Sequence, residues 1–202
     1  MKIFLLERDA ENYRWLEYKN IFVNYNGYKV SLFDYFHAHI VNVESMSDFN
    51  EIIECKTIRD KKERKLGDYP HFALPAISEK AKNVLEKHFN GLVEIFPLNV
   101  GKWGTYYFMN IMNVLDLLDT EKSSIRRLSS GKIIDVKKYS FDNKILSINS
   151  NIFQLQNISR GLIFVNEETR NLIENAGLEG FIFTQVWDSE NPDFVYEPRK
   201  IL

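Results

Sequence analysis

Apolar residues along the chain come in short bursts, each closed by turn-forming or charged residues, and the bursts change period from one stretch to the next. "KIFLLE", residues 2–7, has the continuous apolar character of a buried strand. Asn26-Gly27 is a turn signal, and "YKVSLFDYFHAHIVNVES" after it alternates in a way that predicts extended chain. In "SMSDFNEIIECKTI", residues 45–58, Phe49, Ile52 and Ile53 recur at helical spacing and predict a short helix.

The clearest pattern lies in "GDYPHFALPAISEKAKNVLEKH", residues 67–88. The Ser78 hydroxyl can accept from an early helix N–H, and Glu79 meets the positive end of the helix. Ala81, Val84 and Leu85 then share one face, Lys87 and His88 suit the last turn, and Gly91 ends the element before the strand "LVEIFPLNV". The same grammar returns in "LIFVNEETRNLIENAGLEGFIFTQVW", residues 162–187. Asn166 takes the cap position, Leu172 and Ile173 form the apolar face, Gly177 terminates, and Phe181 to Val186 follow as a strand. Without gaps, Ser78 falls on Asn166 and Val93 on Phe181. This pattern fits either a degenerate duplication or a common helix–strand unit used twice, since capping rules alone produce the likeness.

Between these units, "TYYFMNIMNVLDLLD", "GKIIDVKKYSF", "KILSI" and "NIFQLQ" are short and strand-like, with "NVLDLLD" readable as a helical turn instead. Runs of strands between isolated helices predict an α+β fold, a mixed or antiparallel sheet with a few short helices in one compact domain. Residues 1–60 read as a strand-rich N-terminal subregion and residues 61–202 as the main α+β part.

Composition narrows the function. At 202 residues, 45% hydrophobic and 14% aromatic, the chain can bury a core of its own. A net charge of -2 gives no general attraction to nucleic acid or anionic membranes. Cys55 is the only cysteine, which excludes an intrachain disulfide and a cysteine-built zinc site. The apolar run Ile3 to Leu6 stops at Glu7, Arg8 and Asp9, too short for a signal-peptide core, and the expected location is the cytoplasm. The charge run "RDKKERKLGDYP", residues 59–70, reads as a solvated connector because Asp60 and Glu63 interrupt it. Lys61, Lys62, Arg64 and Lys65 would serve a nucleic-acid or regulatory adaptor instead.

Catalytic signals are weak. The sequence holds no P-loop, G-x-G-x-x-G, H-E-x-x-H or G-x-S-x-G. His37 and His39 would face one side of a strand and could share a metal with Glu44 or a distant carboxylate, as a small metal-dependent or hydrolytic enzyme would need. Cys55 with His71 or His88 is a conceivable nucleophile and base, though a lone cysteine more often packs as a small hydrophobe. Asp116 and Asp119 are carboxylates at helical spacing, and turn formation explains Asp119 equally well. Contact surface stands out more. Trp103, Tyr106 and Tyr107 cluster between glycines in "GKWGTYY", and Trp187, Phe194 and Tyr196 stand among Asp188, Glu190 and Asp193. Aromatics amid acids suit a basic partner; the same rings could equally cover the edge of the core.

Several of these stretches together resemble a family. "GDYP", "PAISEKAKNVLE", "VEIFPLNV", "YYFMNIMNVLDLLDTEKSS", "IFQL" and "IFVNEETRNLIENAGLEGFIFTQV" occur in order and are similar to the immunity proteins of bacterial polymorphic toxin systems. The particular likeness is to the α+β family numbered eleventh in the immunity series, formerly a domain of unknown function. It runs from about Lys65 to Val186 and is carried by Asp68-Tyr69-Pro70, Ser78, Glu94 to Pro97, Leu118 and Asp119 with Ser123, and Gly180. Asn166 stands where serine is common, and "ENPDFVYEPRKIL" extends past the familiar end. The resemblance implies an antidote made beside a toxin gene, which neutralises the toxin by binding and performs no catalysis. The expected partner is therefore a toxin protein rather than nucleic acid or membrane, no cofactor or metal is expected, and the motif residues Asp68, Pro70, Ser78, Pro97, Asp119, Ser123 and Gly180 are expected to be structural. Trp103, Tyr106, Trp187, Asp188, Glu190 and Asp193 are the expected toxin contacts.

Overall fold

A computed structural model describes the protein except for residues 20–21, 26, 33, 37–38, 40–42, 50–51, 59–63, 71–73, 159–160, 192–193 and 197–202. In chain order the first elements are β1 (Lys2–Arg8), β2 (Leu16–Tyr18), β3 (Phe22–Tyr25), β4 (Tyr28–Ser31), β5 (Ile53–Thr57), β6 (Ala76–Ser78), α1 (Glu79–Leu85), β7 (Val93–Asn99) and β8 (Thr105–Ile111). They are followed by β9 (Val114–Leu115), β10 (Ser124–Arg127), β11 (Ile133–Lys138), β12 (Ile152–Leu155), β13 (Ile163–Asn166), α2 (Glu167–Asn175) and β14 (Phe181–Asp188). The described chain is mostly strand with a few short helices, in keeping with an α+β class. It divides into two compact units. One comprises Met1–Glu7, Asn113–Asn175 and Ile182–Leu202, and the other Arg8–Met112 and Ala176–Phe181.

The second unit is built on a mixed sheet in the order β2-β5-β7-β8-β6. The β7–β8 hairpin is its spine, paired from Val93↔Ile111 to Asn99↔Thr105. Its tip is a 3-10 turn, Gly101–Trp103, closed by Gly104 at φ +82°, a conformation that side-chain-bearing residues rarely adopt. Pro97 falls opposite Tyr107, one residue before the parallel β5 ladder begins at Leu98. The core gathers Leu16, Ile53, Cys55, Phe96, Leu98 and Phe108, with the Phe36 ring 4.9 Å from that of Phe108.

Two expectations fail in this unit. Of the residues expected in a helix, Phe49 and Ile52 are irregular and Ile53 opens a strand, in which Ile53 and Cys55 point into the core while Glu54 and Lys56 do not, the period of a strand. Among the described residues after Gly27, the extended strand ends at Ser31. Leu32, Asp34, Tyr35, Phe36 and His39 have helical backbone. Leu32, Tyr35, Phe36 and His39 are buried at helical spacing, and the Ser31 hydroxyl accepts the Asp34 N–H at 3.0 Å.

Ser78 caps α1 as its sequence predicts: its hydroxyl accepts the Ala81 N–H at 3.1 Å, and Ala81 and Leu85 are buried. The helix is shorter than expected, ending at Leu85, so Lys87 and His88 lie in the turn beyond it.

The first unit carries the sheet β14-β1-β13-β12-β9 and the separate ribbon β10–β11. Strands β12 and β13 are buried at every position, so their apolar runs do not alternate. Phe153 and Phe164 stack at 5.4 Å, and Phe141, Tyr139 and Ile133 join the same core. Asn166 caps α2 by accepting the Thr169 N–H at 2.9 Å, and Thr169 and Ile173 are the buried positions. "KILSI" is not a strand: Asn143–Leu146 form a 3-10 turn because the Asp142 carboxylate accepts the Lys144 N–H at 2.8 Å. "NVLDLLD" is strand at Val114–Leu115 and irregular afterwards, so Asp116 and Asp119 do not share a helix face.

Candidate functional site

Several of the family-like residues, Asp68, Tyr69, Pro70, Ser78 and Gly180, converge on a lock inside the second unit. The Asp68 carboxylate accepts the Ser78 hydroxyl at 2.5 Å through Oδ1 and the Glu179 N–H at 2.8 Å through Oδ2. The Asp68 N–H donates to the Glu179 carbonyl at 2.7 Å, and the Ser78 N–H to the Asp68 carbonyl at 3.0 Å. One short segment therefore orients the α1 cap and holds residues 177–181. Two glycines permit this approach. A Cβ on Gly67 would stand 2.8 Å from the Tyr13 ring and 3.1 Å from the Glu179 carbonyl oxygen. Gly180 adopts φ +86° with its α-carbon face against Gly67, and its carbonyl accepts the Asp9 N–H at 2.9 Å. The Tyr69 ring stacks on Phe181 at 4.8 Å, the Pro70 carbonyl accepts the Leu16 N–H at 3.3 Å, and Lys65 pairs with Glu179 at 2.6 Å.

A second motif element builds a turn in the first unit. The Asp119 carboxylate accepts the N–H groups of Glu121 and Lys122, both at 3.1 Å, and Ser123 and Ser140 exchange hydrogen bonds at 2.9 and 3.2 Å. The Lys122 ammonium, 3.0 Å away, and these N–H groups lower the Asp119 pKa. Both motif clusters are self-satisfied polar frameworks, the kind that fixes a backbone.

His37 and His71 lie outside the described residues. His39 is on helical rather than extended backbone, 6% exposed, with Nδ1 at 2.8 Å from the Tyr35 carbonyl and Nε2 at 4.0 Å from Glu44. Among the described residues no three His, Cys, Asp or Glu side chains are grouped so as to hold a metal. Burial, with a smaller contribution from Glu54, pushes the Cys55 thiol up to about 12, which keeps it protonated and poorly nucleophilic. His88 sits beyond α1 against Phe89, with ring centroids 5.6 Å apart.

Nearby, the Glu94 carboxylate accepts the Ser45 hydroxyl, the Met46 N–H at 2.9 Å and the Asn110 amide at 3.0 Å. Burial pushes its pKa up, and these hydrogen bonds together outweigh burial and leave it lowered.

The expected contact aromatics divide into surface and core. Trp103 remains partly accessible at the β7–β8 tip, with the Arg14 guanidinium and the Lys102 ammonium at 5.9 and 5.4 Å from its ring. Tyr106 is 7% exposed, and burial raises its hydroxyl to about 12. Trp187 is 6% exposed and packs edge-on to Phe141 at 5.5 Å, making it a core side chain rather than a surface anchor. Asp188 accepts the Glu190 N–H at 3.0 Å and closes the turn after β14; Glu190 is exposed, and Asp193 lies outside the described residues. In the charge run, Lys61 and Lys62 also lie outside them, while Arg64 is tied to the carbonyls of Ala10 and Glu11 at 2.6 Å.

Two surfaces were overlooked by the sequence reading. Hairpin β3–β4 exposes Phe22, Tyr25 and Tyr28, the last at 74%, with the Lys29 ammonium 5.1 Å from the Phe22 ring. Ribbon β10–β11 exposes Arg126, Arg127, Lys132 and Lys137 beside Leu128 and Ile134. The Asn-Gly turn and the alternation around Ser129-Ser130-Gly131 were the signals that marked them.

No curated protein matches the chain in sequence. Residues 37–188 match the sequence model of an immunity protein family, a span that contains the Asp68–Ser78–Glu179 lock and the Asp119–Ser123 turn. The chain belongs to the immunity protein family Imm11.

Proposed function

We propose that the protein is the cytoplasmic antidote to a cognate bacterial toxin domain and neutralises it by binding and occluding it, without catalysis. Family membership is the observation that carries this reading. The character of the motif residues supports it: Asp68, Ser78, Asp119 and Ser123 spend their polar groups holding backbone in place. A rigid frame suits an inhibitor because a preorganised surface loses little conformational freedom on binding.

The test is to express the toxin domain encoded beside this gene, alone and together with the protein. Co-expression should restore growth, and the purified pair should form a stoichiometric complex. Undiminished killing, or protection without any physical complex, overturns the proposal.

A further inference from the structure

We propose that ribbon β10–β11 is the face that engages the toxin, and that the toxin surface it meets is acidic; this rests on the antidote reading above. Residues 124–138 carry Arg126, Arg127, Lys132, Lys137 and Lys138 against the single carboxylate of Asp135, in a chain whose net charge is -2. The ribbon therefore concentrates positive charge against the sign of the whole molecule. Three of these five cations, Arg126, Lys132 and Lys137, are little neutralised among the described residues. Arg126, with a side chain 67% exposed, reaches Asp135 only at 3.9 Å. Lys132 and Lys137 are exposed and make no ion pair among the described residues.

The cations stand on a firm support. Ile133 and Val136 are buried in the core of the first unit, and Ile125, opposite Val136, packs against it. The tip is closed by the Leu128 N–H on the Lys132 carbonyl and the Gly131 N–H on the Leu128 carbonyl, both at 2.9 Å. The Arg127 guanidinium donates to the Gly131 carbonyl at 2.9 Å. Between the charges, Leu128 and Ile134 are 49% and 44% exposed. Aliphatic side chains ringed by charge are what a protein interface uses, with the apolar area buried centrally and the charges steering encounter from the rim.

Nucleic acid is the other anionic partner to weigh, and the ribbon suits it poorly. Residues 124–138 include no Phe, Tyr or Trp on which a base could stack, and phosphate gives exposed Leu128 and Ile134 nothing to bury against. The acidic turn at Asp188 and Glu190 is the weaker candidate as a docking face, because its aromatic neighbour Trp187 is committed to the core.

The experiment measures association of the full chain with a catalytically inactivated toxin domain from the adjacent gene, across a salt series. Lys132→Glu combined with Lys137→Glu should slow association roughly tenfold or more at low salt, and the difference should shrink as salt rises. Leu128→Ala with Ile134→Ala should mainly speed dissociation. If the charge-reversed protein is misfolded by circular dichroism, Lys132→Gln with Lys137→Gln tests the same sign of effect. A folded variant that associates at the wild-type rate overturns the ribbon as the interface while the antidote reading stands. Loss of binding to a short DNA duplex with toxin binding intact also overturns it, in favour of nucleic acid. If the wild-type chain forms no complex with that toxin domain, the antidote reading fails and takes this proposal with it.

Discussion

Replacing Asp68 by alanine should destabilise the second unit by about 3 kcal/mol, on the following grounds. Its carboxylate accepts two hydrogen bonds, from the Ser78 hydroxyl at 2.5 Å and the Glu179 N–H at 2.8 Å. The side chain is 14% exposed, so little water competes for either oxygen. Hydrogen bonds to a charged acceptor contribute about 1.5–3 kcal/mol each, and the low end is appropriate here because the freed Ser78 hydroxyl can rotate toward another partner. Lys80, 3.9 Å away and 57% exposed, adds well under 1 kcal/mol. Asparagine at the same position keeps one acceptor and turns an amide toward the other donor, for a loss of about 1.5 kcal/mol. Ser78→Ala removes both the α1 cap and the bond to Asp68 and should cost about 2 kcal/mol. The double mutant should then lose less than the sum of the two, with a coupling of about 1 kcal/mol.

Urea unfolding followed through Trp15 and Trp103, both in the second unit, gives the free energies, and exchange of the Glu179 amide reports the lock itself. If Asp68→Ala leaves both the urea midpoint and the Glu179 exchange rate unchanged, the lock contributes nothing and the architectural account of the "GDYP" motif is wrong.

Trp187→Ala should cost about 3–5 kcal/mol as a core truncation; weakened toxin binding at an unchanged Tm would instead restore it as a surface anchor. Cys55 should resist a thiol reagent at mildly alkaline pH until denaturant is added, since burial holds its thiol near 12; rapid labelling of the native protein refutes that. The lowered pKa of Glu94 makes its stabilisation fully present above the unfolded carboxyl value of 4.5 and lost as pH falls through the folded value. The urea midpoint of Glu94→Gln should accordingly fall less steeply than wild type on acidification from about pH 5 to about pH 3, and parallel curves would show the carboxylate is not held in its ionised form.

Sequence rules reached what is decided within a few residues. The caps at Ser78 and Asn166 were legible because a cap is an i to i+3 bond, and strands β7 and β8 because "LVEIFPLNV" and "TYYFMNIMN" are locally strand-like. The buried helical spacing of Leu32, Tyr35, Phe36 and His39 was available too, but β-branched and aromatic neighbours made the same stretch read as extended. What decides the candidate site is not local. Asp68 meets Glu179 across 111 positions, so its carboxylate looked like an ordinary turn residue. At Gly67 the constraint is contact with the Tyr13 ring and a carbonyl from a distant segment, which no local pattern records. Burial of Tyr106 and Trp187 depends on which sheet face each strand presents, and an aromatic beside acids carries no information about that.

The cap–helix–strand unit that occurs twice can now be compared by topology. In the second unit β6 leads through α1 to β7, and both strands pair antiparallel with β8, which lies between them. In the first unit β13 leads through α2 to β14, and β1 lies between them. β1 runs opposite to β13 by its register. It runs opposite to β14 as well, since Glu7 bonds Thr184 while Met1 accepts the Ser189 N–H. The ungapped match places cap on cap, buried Ala81 on Thr169, buried Leu85 on Ile173, and strand start Val93 on Phe181. Beyond that the units diverge. The central strand follows the motif as β8 in one and precedes it as β1 in the other, and the sheets are extended from opposite sides, past β7 in one and past β13 in the other. A tandem copy of a whole domain would preserve strand order and the extended edge, and neither is preserved. The likeness is therefore confined to the portion that capping, one buried helix face and a glycine stop dictate. That confinement fits a frame that local chemistry can specify twice, while the surfaces that differ between the units, hairpin β3–β4 in one and ribbon β10–β11 in the other, carry the exposed aromatic and basic side chains.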